Sequence, residues 1–383
     1  MEILEVDHCI IGGSPVGLTL ALLLGKQGKR VAVLERNQDF STIKGGVVIQ
    51  PKTLELFEHM GILNKLENVS EKILGVVEYS GQKTLFDAMY SSNANLKHPF
   101  ALGISNANLQ ESLLSLVALE KNIVLYPNAS IQNLREMATN KYEVVADFSG
   151  ELKVIKPDLI FACDGKFSKT REMAGIQAEI EEFDQVSVIM KIKRPTNWSA
   201  KIRLYHGKNR LFAIPLKDNY LYLIYLISKK ELDVLKGLSM NALINELINL
   251  EPELKECLAT IKTWDSVLSI PFYSAKPEKW SNRNVVLVGD SAHAVHVYGG
   301  QGMNMALLDC TLLARLCEEA QDCGLVGKHF EEIRKPFTTE FQDKQQLYLD
   351  NSNGDDLNKS IYADNFSSLV IGQSLEIPIV INR

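Results

Sequence analysis

Paired cysteines, long apolar runs and blocks of like charge are all missing from this chain. Its six cysteines (Cys9, Cys163, Cys257, Cys310, Cys317 and Cys323) contain no CxxC pair, and several sit in apolar runs where free thiols are usually buried. Neither disulfides nor a metal site are expected. The apolar stretch Leu18 to Leu24 is far shorter than the roughly 20 residues a membrane span requires. Glu2, Glu5 and Asp7 do not suit a secretory leader, so a cytoplasmic protein is expected. Lys+Arg 41 against Asp+Glu 47 gives a net charge of -6, and neither sign gathers into a block that would grip nucleic acid or an anionic bilayer. What remains is an ordinary globular composition, 46% hydrophobic over 383 residues, enough for one large domain or two coupled ones.

The first segment reads β, α, β: an apolar run from Leu4 to Ile11, a glycine-rich turn, a helical pattern from Val16 to Lys26, Gly28, then Arg30 to Glu35. Two later apolar runs, Leu159 to Cys163 and Asn284 to Val288, end in Asp164-Gly165 and Gly289-Asp290. Both stop where an open α/β sheet places its ligands, at the carboxyl ends of strands. Between them Lys201 to Tyr205, Leu211 to Pro215 and Tyr220 to Ile227 are separated by turn clusters and read as antiparallel hairpins. With no repeat and no linker, the hairpin domain is expected to be inserted into the first. The expected division gives residues 1–72, 101–176 and 282–345 to a discontinuous cofactor domain, residues 73–100 and 177–281 to a substrate domain, and residues 346–383 to a C-terminal extension. Its polar stretch Asp350 to Asp356 precedes Leu369 to Ile381, which is apolar enough to dock back on the body.

Three motifs carry the chemistry. Gly12-Gly13-Ser14-Pro15-Val16-Gly17 approximates GxGxxG, whose glycines let backbone N–H groups and a helix N-terminus meet a pyrophosphate. The same glycines would serve a plain strand–turn–helix. Glu35, with Arg36 beside it, favours the nucleotide reading, because it closes the second strand about where an acidic side chain accepts from a ribose. Asp164-Gly165 with Ser168 and Arg171 is weaker, since Asp-Gly at a strand end is most often a turn, but it suits a ribose hydroxyl, and Arg171 offers a forked donor for phosphate or carboxylate. The longest string runs from Gly289-Asp290-Ser291-Ala292-His293 to Gly299-Gly300-Gln301-Gly302-Met303-Asn304 and into an apolar helix. A helix start exposed there would stabilise a reduced, negatively charged flavin, with Asp290 accepting from the ribityl chain.

These three stretches, in this order, resemble the p-hydroxybenzoate hydroxylase-like family of single-component flavoprotein monooxygenases. Asp7, the segment Gly46 to Pro51, and Phe330, Arg334 and Pro336 match further family patterns. The resemblance implies an α/β fold with a Rossmann-like FAD-binding domain and an inserted, mainly antiparallel substrate sheet. It also implies FAD as cofactor, NADH or NADPH as electron donor, and molecular oxygen with a small aromatic or polycyclic molecule as partners. One oxygen atom would be inserted through a flavin C4a-hydroperoxide. Three departures stand out. Ser14 replaces a glycine and could crowd the pyrophosphate. Asn106 stands for an arginine that contacts FAD. Val297 stands for a proline, which implies a looser loop beside the reacting flavin edge. Around Ile43-Lys44 the match to another family arginine stays open. No protein nucleophile is needed, so His296, Val297 and Tyr298 are candidates for contacting substrate or moving a proton, whereas His293 reads as structural. Tyr205, Tyr220, Tyr222 and Tyr225 could line the cavity or belong to core and surface. Cys9 and Cys163 read as packing residues. Two rival functions remain: another flavin-dependent oxidation or reduction on this fold, and a non-catalytic FAD-binding partner protein. Trp198, Trp264 and Trp280 form no WxWxIP pattern, which weakens tryptophan halogenation.

Overall fold

The strand His8–Ile11 is buried at every position because parallel strands flank it on both sides. In the computed structural model, which describes residues 2–40 and 45–351, it lies inside a six-stranded sheet. The sheet order is Ser281–Asn282, Val285–Leu287, Leu159–Ala162, His8–Ile11, Val31–Leu34 and Ile123–Tyr126. All but the first strand run parallel, and register sets Phe161 between Ile10 and Val286. The helix Pro15–Lys26 follows the first of these turns and buries nearly all its side chains. Each fully buried leucine there contributes about 1.5–3 kcal/mol. Much of its contact is with the helix Gly302–Glu319, so the first and third motifs are packed together.

A second sheet of seven strands carries the hairpins. Its order is Leu268–Pro277, Ala178–Lys193, Tyr220–Ser228, Arg210–Leu216, Lys201–His206, Gly75–Ser80 and Lys83–Met89. In the three-residue loop between Leu216 and Tyr220, Asp218 and Asn219 both take positive φ (61° and 60°), a region that Asp and Asn tolerate better than most residues. The sheet is antiparallel except where Lys201–His206 runs parallel to Gly75–Ser80. One face turns toward the nucleotide sheet. The other packs on the helices Lys229–Leu238 and Met240–Leu250 in a separate apolar cluster. The long helix Val326–Asn351 closes the body, with Phe330 buried against Trp280 and Arg334 paired with Asp309. Ile43-Lys44 and Leu369 to Ile381 lie outside the described residues.

Candidate active site

The turns after His8–Ile11, Leu159–Ala162 and Val285–Leu287 open together onto one cavity of about 900 Å³. Gly12 has φ +112°, and a Cβ there would lie 2.4 Å from the Cys163 carbonyl oxygen. A Cβ at Gly17 would lie 2.0 Å from the Gly12 carbonyl oxygen, so both positions admit only glycine. Ser14 is extended (φ -68°, ψ 169°) and caps the helix, its Oγ accepting from the Gly17 N–H at 3.5 Å. This position therefore needs no glycine. Pro15 has no N–H to offer, and that of Val16 has no acceptor among the described residues. A second helix start, at Gly302, meets the same cavity, and Gln301 gives it no side-chain cap. Two positive helix ends thus face one space.

Carboxylates ring that space. Glu35 accepts from the Gly13 N–H at 2.9 Å and from the Asn37 N–H at 2.9 Å. Asp164 accepts from the Ser168 hydroxyl, the Thr170 N–H at 3.0 Å and the Thr170 hydroxyl at 2.9 Å, which shapes its turn. Asp290 differs from both: no described residue hydrogen-bonds its carboxylate. It is open to the cavity yet surrounded by protein, and this burial raises its pKa against the pull of His293 and Lys166. A glycine cradle, two helix starts facing one space and a carboxylate awaiting donors fit the pyrophosphate and hydroxyl-rich chain of FAD.

Of the residues singled out by motif, Gly12, Ser14, Pro15, Val16, Glu35, Arg36, Asp164, Gly165, Asp290, Gly300, Gly302, Met303, His296 and Val297 line the cavity. Gly13, Gly17, Asn106, Arg171, Asn304 and Tyr298 do not. Gly13 packs under Phe40. Asn106 begins the helix Asn106–Val117 and donates its N–H to Gly45. Arg171 is no ligand fork here: its guanidinium donates to the carbonyls of Ser291 and Lys166, tying the second motif to the third. Asn304 accepts from the Gln50 N–H and the Thr53 hydroxyl and donates to the carbonyls of Val48 and Gly300, so it joins the loop to the Gly46–Ile49 strand. Two further polar residues line the cavity. Gln110 donates to the Gly13 carbonyl at 2.7 Å, and Lys166 is a half-buried cation whose pKa is lowered by that burial.

The far wall of the cavity is apolar and includes Val76, Ile202, Phe212, Ile214, Ile224 and Phe272. None of the four tyrosines lines it. Tyr205 and Tyr225 face the helix layer and bond Glu251 and Glu246, Tyr222 lies beside Gly45, and Tyr220 lies under Lys191 and Lys193. His293 is structural, its Nε2 meeting Asp309 at 2.6 Å beside Arg334. Cys9 and Cys163 are packed in the core, where burial pushes both thiols up.

His296 is poorly set up to take a proton. Burial, with Arg210 nearby, lowers its pKa to about 3, and its Nδ1 accepts from the Tyr298 N–H at 3.1 Å, which leaves the proton of the neutral ring on Nε2. Tyr298 packs on Phe212 and under Arg210. Contacts surround Val297, where a looser loop is expected. The Val297 carbonyl accepts from the Gly300 N–H at 2.8 Å, and the peptides on either side are held by side chains.

A parallel nucleotide sheet with two helix starts at one cavity, facing an antiparallel sheet across it, defines a dinucleotide-binding flavoprotein. The family model described as FAD binding domain matches residues 5–322, and the chain belongs to that family. It is 25% identical over 354 residues to protoasukamycin 4-monooxygenase of Streptomyces nodosus subsp. asukaensis, covering 89% of this chain and 87% of that one. It is also 25% identical over 348 residues to 6-methylpretetramide 4-monooxygenase of Streptomyces rimosus, covering 87% and 81%. The crystal structure of PqsL from P. aeruginosa in complex with 2-aminobenzoylacetate shares the fold, with TM-score 0.81 and 19% identity over 98% of this chain and 99% of that one. The chain is an FAD-dependent monooxygenase of the p-hydroxybenzoate hydroxylase-like type. Among the described residues no helix is long and apolar enough to cross a membrane.

Proposed function

We propose that this enzyme hydroxylates a small aromatic or polycyclic molecule, using NADH or NADPH as electron donor and molecular oxygen, in the cytoplasm. The carrying observation is that one cavity runs from the Gly12–Val16 turn, past Gly300–Met303, to the apolar wall at Ile202, Phe212 and Ile224. Cofactor and reactant would share it without a water-filled gap. Protoasukamycin and 6-methylpretetramide, in the names of the two curated relatives, point to a polyketide-like substrate.

Bound FAD would supply the activated oxygen, and the chain supplies the rest. The Gly12 turn and the helix starts at Pro15 and Gly302 hold the pyrophosphate and the electron-rich end of the flavin. Glu35 takes a ribose hydroxyl, and Asp290 takes donors from the ribityl chain. The Val297 loop and the apolar wall orient the ring to be oxidised and keep water out. In this reading the cofactor domain comprises residues 1–72, 101–176 and 282–345, and the substrate domain residues 73–100 and 177–281.

The test is FAD-loaded protein assayed against phenols, hydroxyquinones and polycyclic aromatics, following NAD(P)H consumption and product mass. At least one compound should accelerate NAD(P)H consumption and gain one oxygen atom. If none does either, the reading fails.

A further inference from the structure

We propose that Gln345, with Gln342 one turn earlier on the helix Val326–Asn351, is a positioning residue that sets the Val297 peptide beside the cofactor. This rests on the monooxygenase reading for its consequence but not for its geometry. Gln345 Oε1 accepts from the His296 N–H at 3.2 Å, while its Nε2 donates to the His296 carbonyl at 2.9 Å and to the Tyr298 carbonyl. The His296 ring takes the Tyr298 N–H. Every backbone polar group of the two residues flanking Val297 is therefore engaged, and the Val297 carbonyl is itself held by Gly300. The two residues flanking Val297 are thus held from outside by a buried side chain.

Gln342 extends the lock to the substrate sheet. Its Nε2 donates to the Ala294 carbonyl at 2.9 Å and to the Ala275 carbonyl at 3.2 Å, and the Ala275 N–H donates to Ala294 at 3.2 Å. Ala275 belongs to the strand Leu268–Pro277, which also carries the cavity-lining residues Ile270 and Phe272. The helix Val326–Asn351 thus ties the loop on the cofactor side to a strand on the substrate side. Residues three apart on a helix share a face, so one helix face serves both contacts. When the loop is out of place, the two electrons of NAD(P)H and two protons convert O₂ to hydrogen peroxide, and no oxygen reaches the substrate.

The experiment uses the full-length, FAD-loaded protein and compares wild type, Gln345→Met, Gln345→Glu and Gln345→Met combined with Val297→Pro. Methionine keeps the volume and loses every hydrogen bond; glutamate keeps the acceptor for His296 and loses both donors. The Val297 N–H has no acceptor among the described residues, so proline removes no bond. Amide hydrogen exchange should speed up at least tenfold in residues 295–300 for both single variants, with the helix Pro15–Lys26 unchanged, and the added proline should reverse most of this for Gln345→Met. Once a hydroxylated aromatic is in hand, peroxide released per NAD(P)H should rise severalfold in the single variants and fall back in the double variant, with FAD affinity within twofold throughout. Unchanged exchange at residues 295–300, or faster exchange spread evenly over the chain with no rescue by proline, overturns the proposal. Failure of every variant and wild type to couple NAD(P)H to a substrate overturns the monooxygenase reading instead and leaves the exchange result to decide the clamp.

Discussion

The Nδ1 of His296 accepts the backbone N–H of Tyr298 at 3.1 Å, so a histidine at the cavity wall is spent on the chain's own backbone. Its pKa of about 3 lies below the ordinary value, and that of buried His8, lowered by burial and by Lys29, is about 4. Both stay neutral in the folded protein, whereas in the unfolded chain they take up protons below about pH 6.5. Their contribution to stability is complete above that pH and is lost as pH falls toward 4 and then 3. Thermal denaturation should show the melting temperature dropping between pH 6.5 and 4, with a shallower drop in His8→Phe. A flat profile over that range in wild type contradicts the assignment. The rate of substrate oxidation should show no inflection from His296 above pH 5.

Asp290 and His293 stand three residues apart and should respond differently to removal. Asp290→Ala removes an acceptor that the protein leaves unpaired, and a hydrogen bond involving a charged group is worth about 1.5–3 kcal/mol. A roughly 10- to 150-fold weaker FAD affinity is expected in flavin fluorescence titration, with little change in stability. His293→Ala leaves Asp309 and Arg334 buried with one partner fewer. Breaking such a buried network costs about 3–5 kcal/mol, so the loss should appear as a lower unfolding midpoint. Equal FAD affinity in Asp290→Ala and wild type would remove Asp290 from the site.

Ser14 and Gly17 both belong to the first motif, and only one of them needs to be glycine. Ser14→Gly should cost no more than a few tenths of a kcal/mol, since glycine is a tolerable helix cap, and FAD affinity should be equal or higher. Gly17→Ala drives a Cβ into the Gly12 carbonyl, and overpacking of this kind costs about 1–3 kcal/mol. It should also displace the turn and weaken FAD binding. A marked loss of affinity in Ser14→Gly would show that the Ser14 hydroxyl touches the cofactor.

Much of this molecule was legible from the sequence because its signals are local. The His8–Ile11 and Val31–Leu34 strands, the glycine turn and the hairpins at Gly207 to Asn209 and Lys217 to Asn219 follow from apolar runs bounded by turn residues. The presence of the FAD site was legible in the order of three motifs. What stayed hidden depends on partners distant in the chain. No pattern marks Gln342 or Gln345, whose roles come from carbonyls roughly fifty residues away. Alternation along Tyr220–Ser228 gives two faces but not which one meets the cavity, and the hydroxyls of Tyr205 and Tyr225 found acidic partners on the helix side. The Nδ1 partner of His296 is a backbone N–H, which no side-chain pattern announces.

The strand Gly75–Ser80 has its parallel neighbour at Lys201–His206, and Leu159–Ala162 has one of its two at Val285–Leu287. Neither sheet is whole until more than a hundred further residues have been made. At about 5–20 residues per second each of these strands waits on the order of ten seconds on the ribosome with one edge unpaired. The same interleaving that lets one cavity touch both sheets keeps the first half of the chain from completing either sheet until the second half has been made.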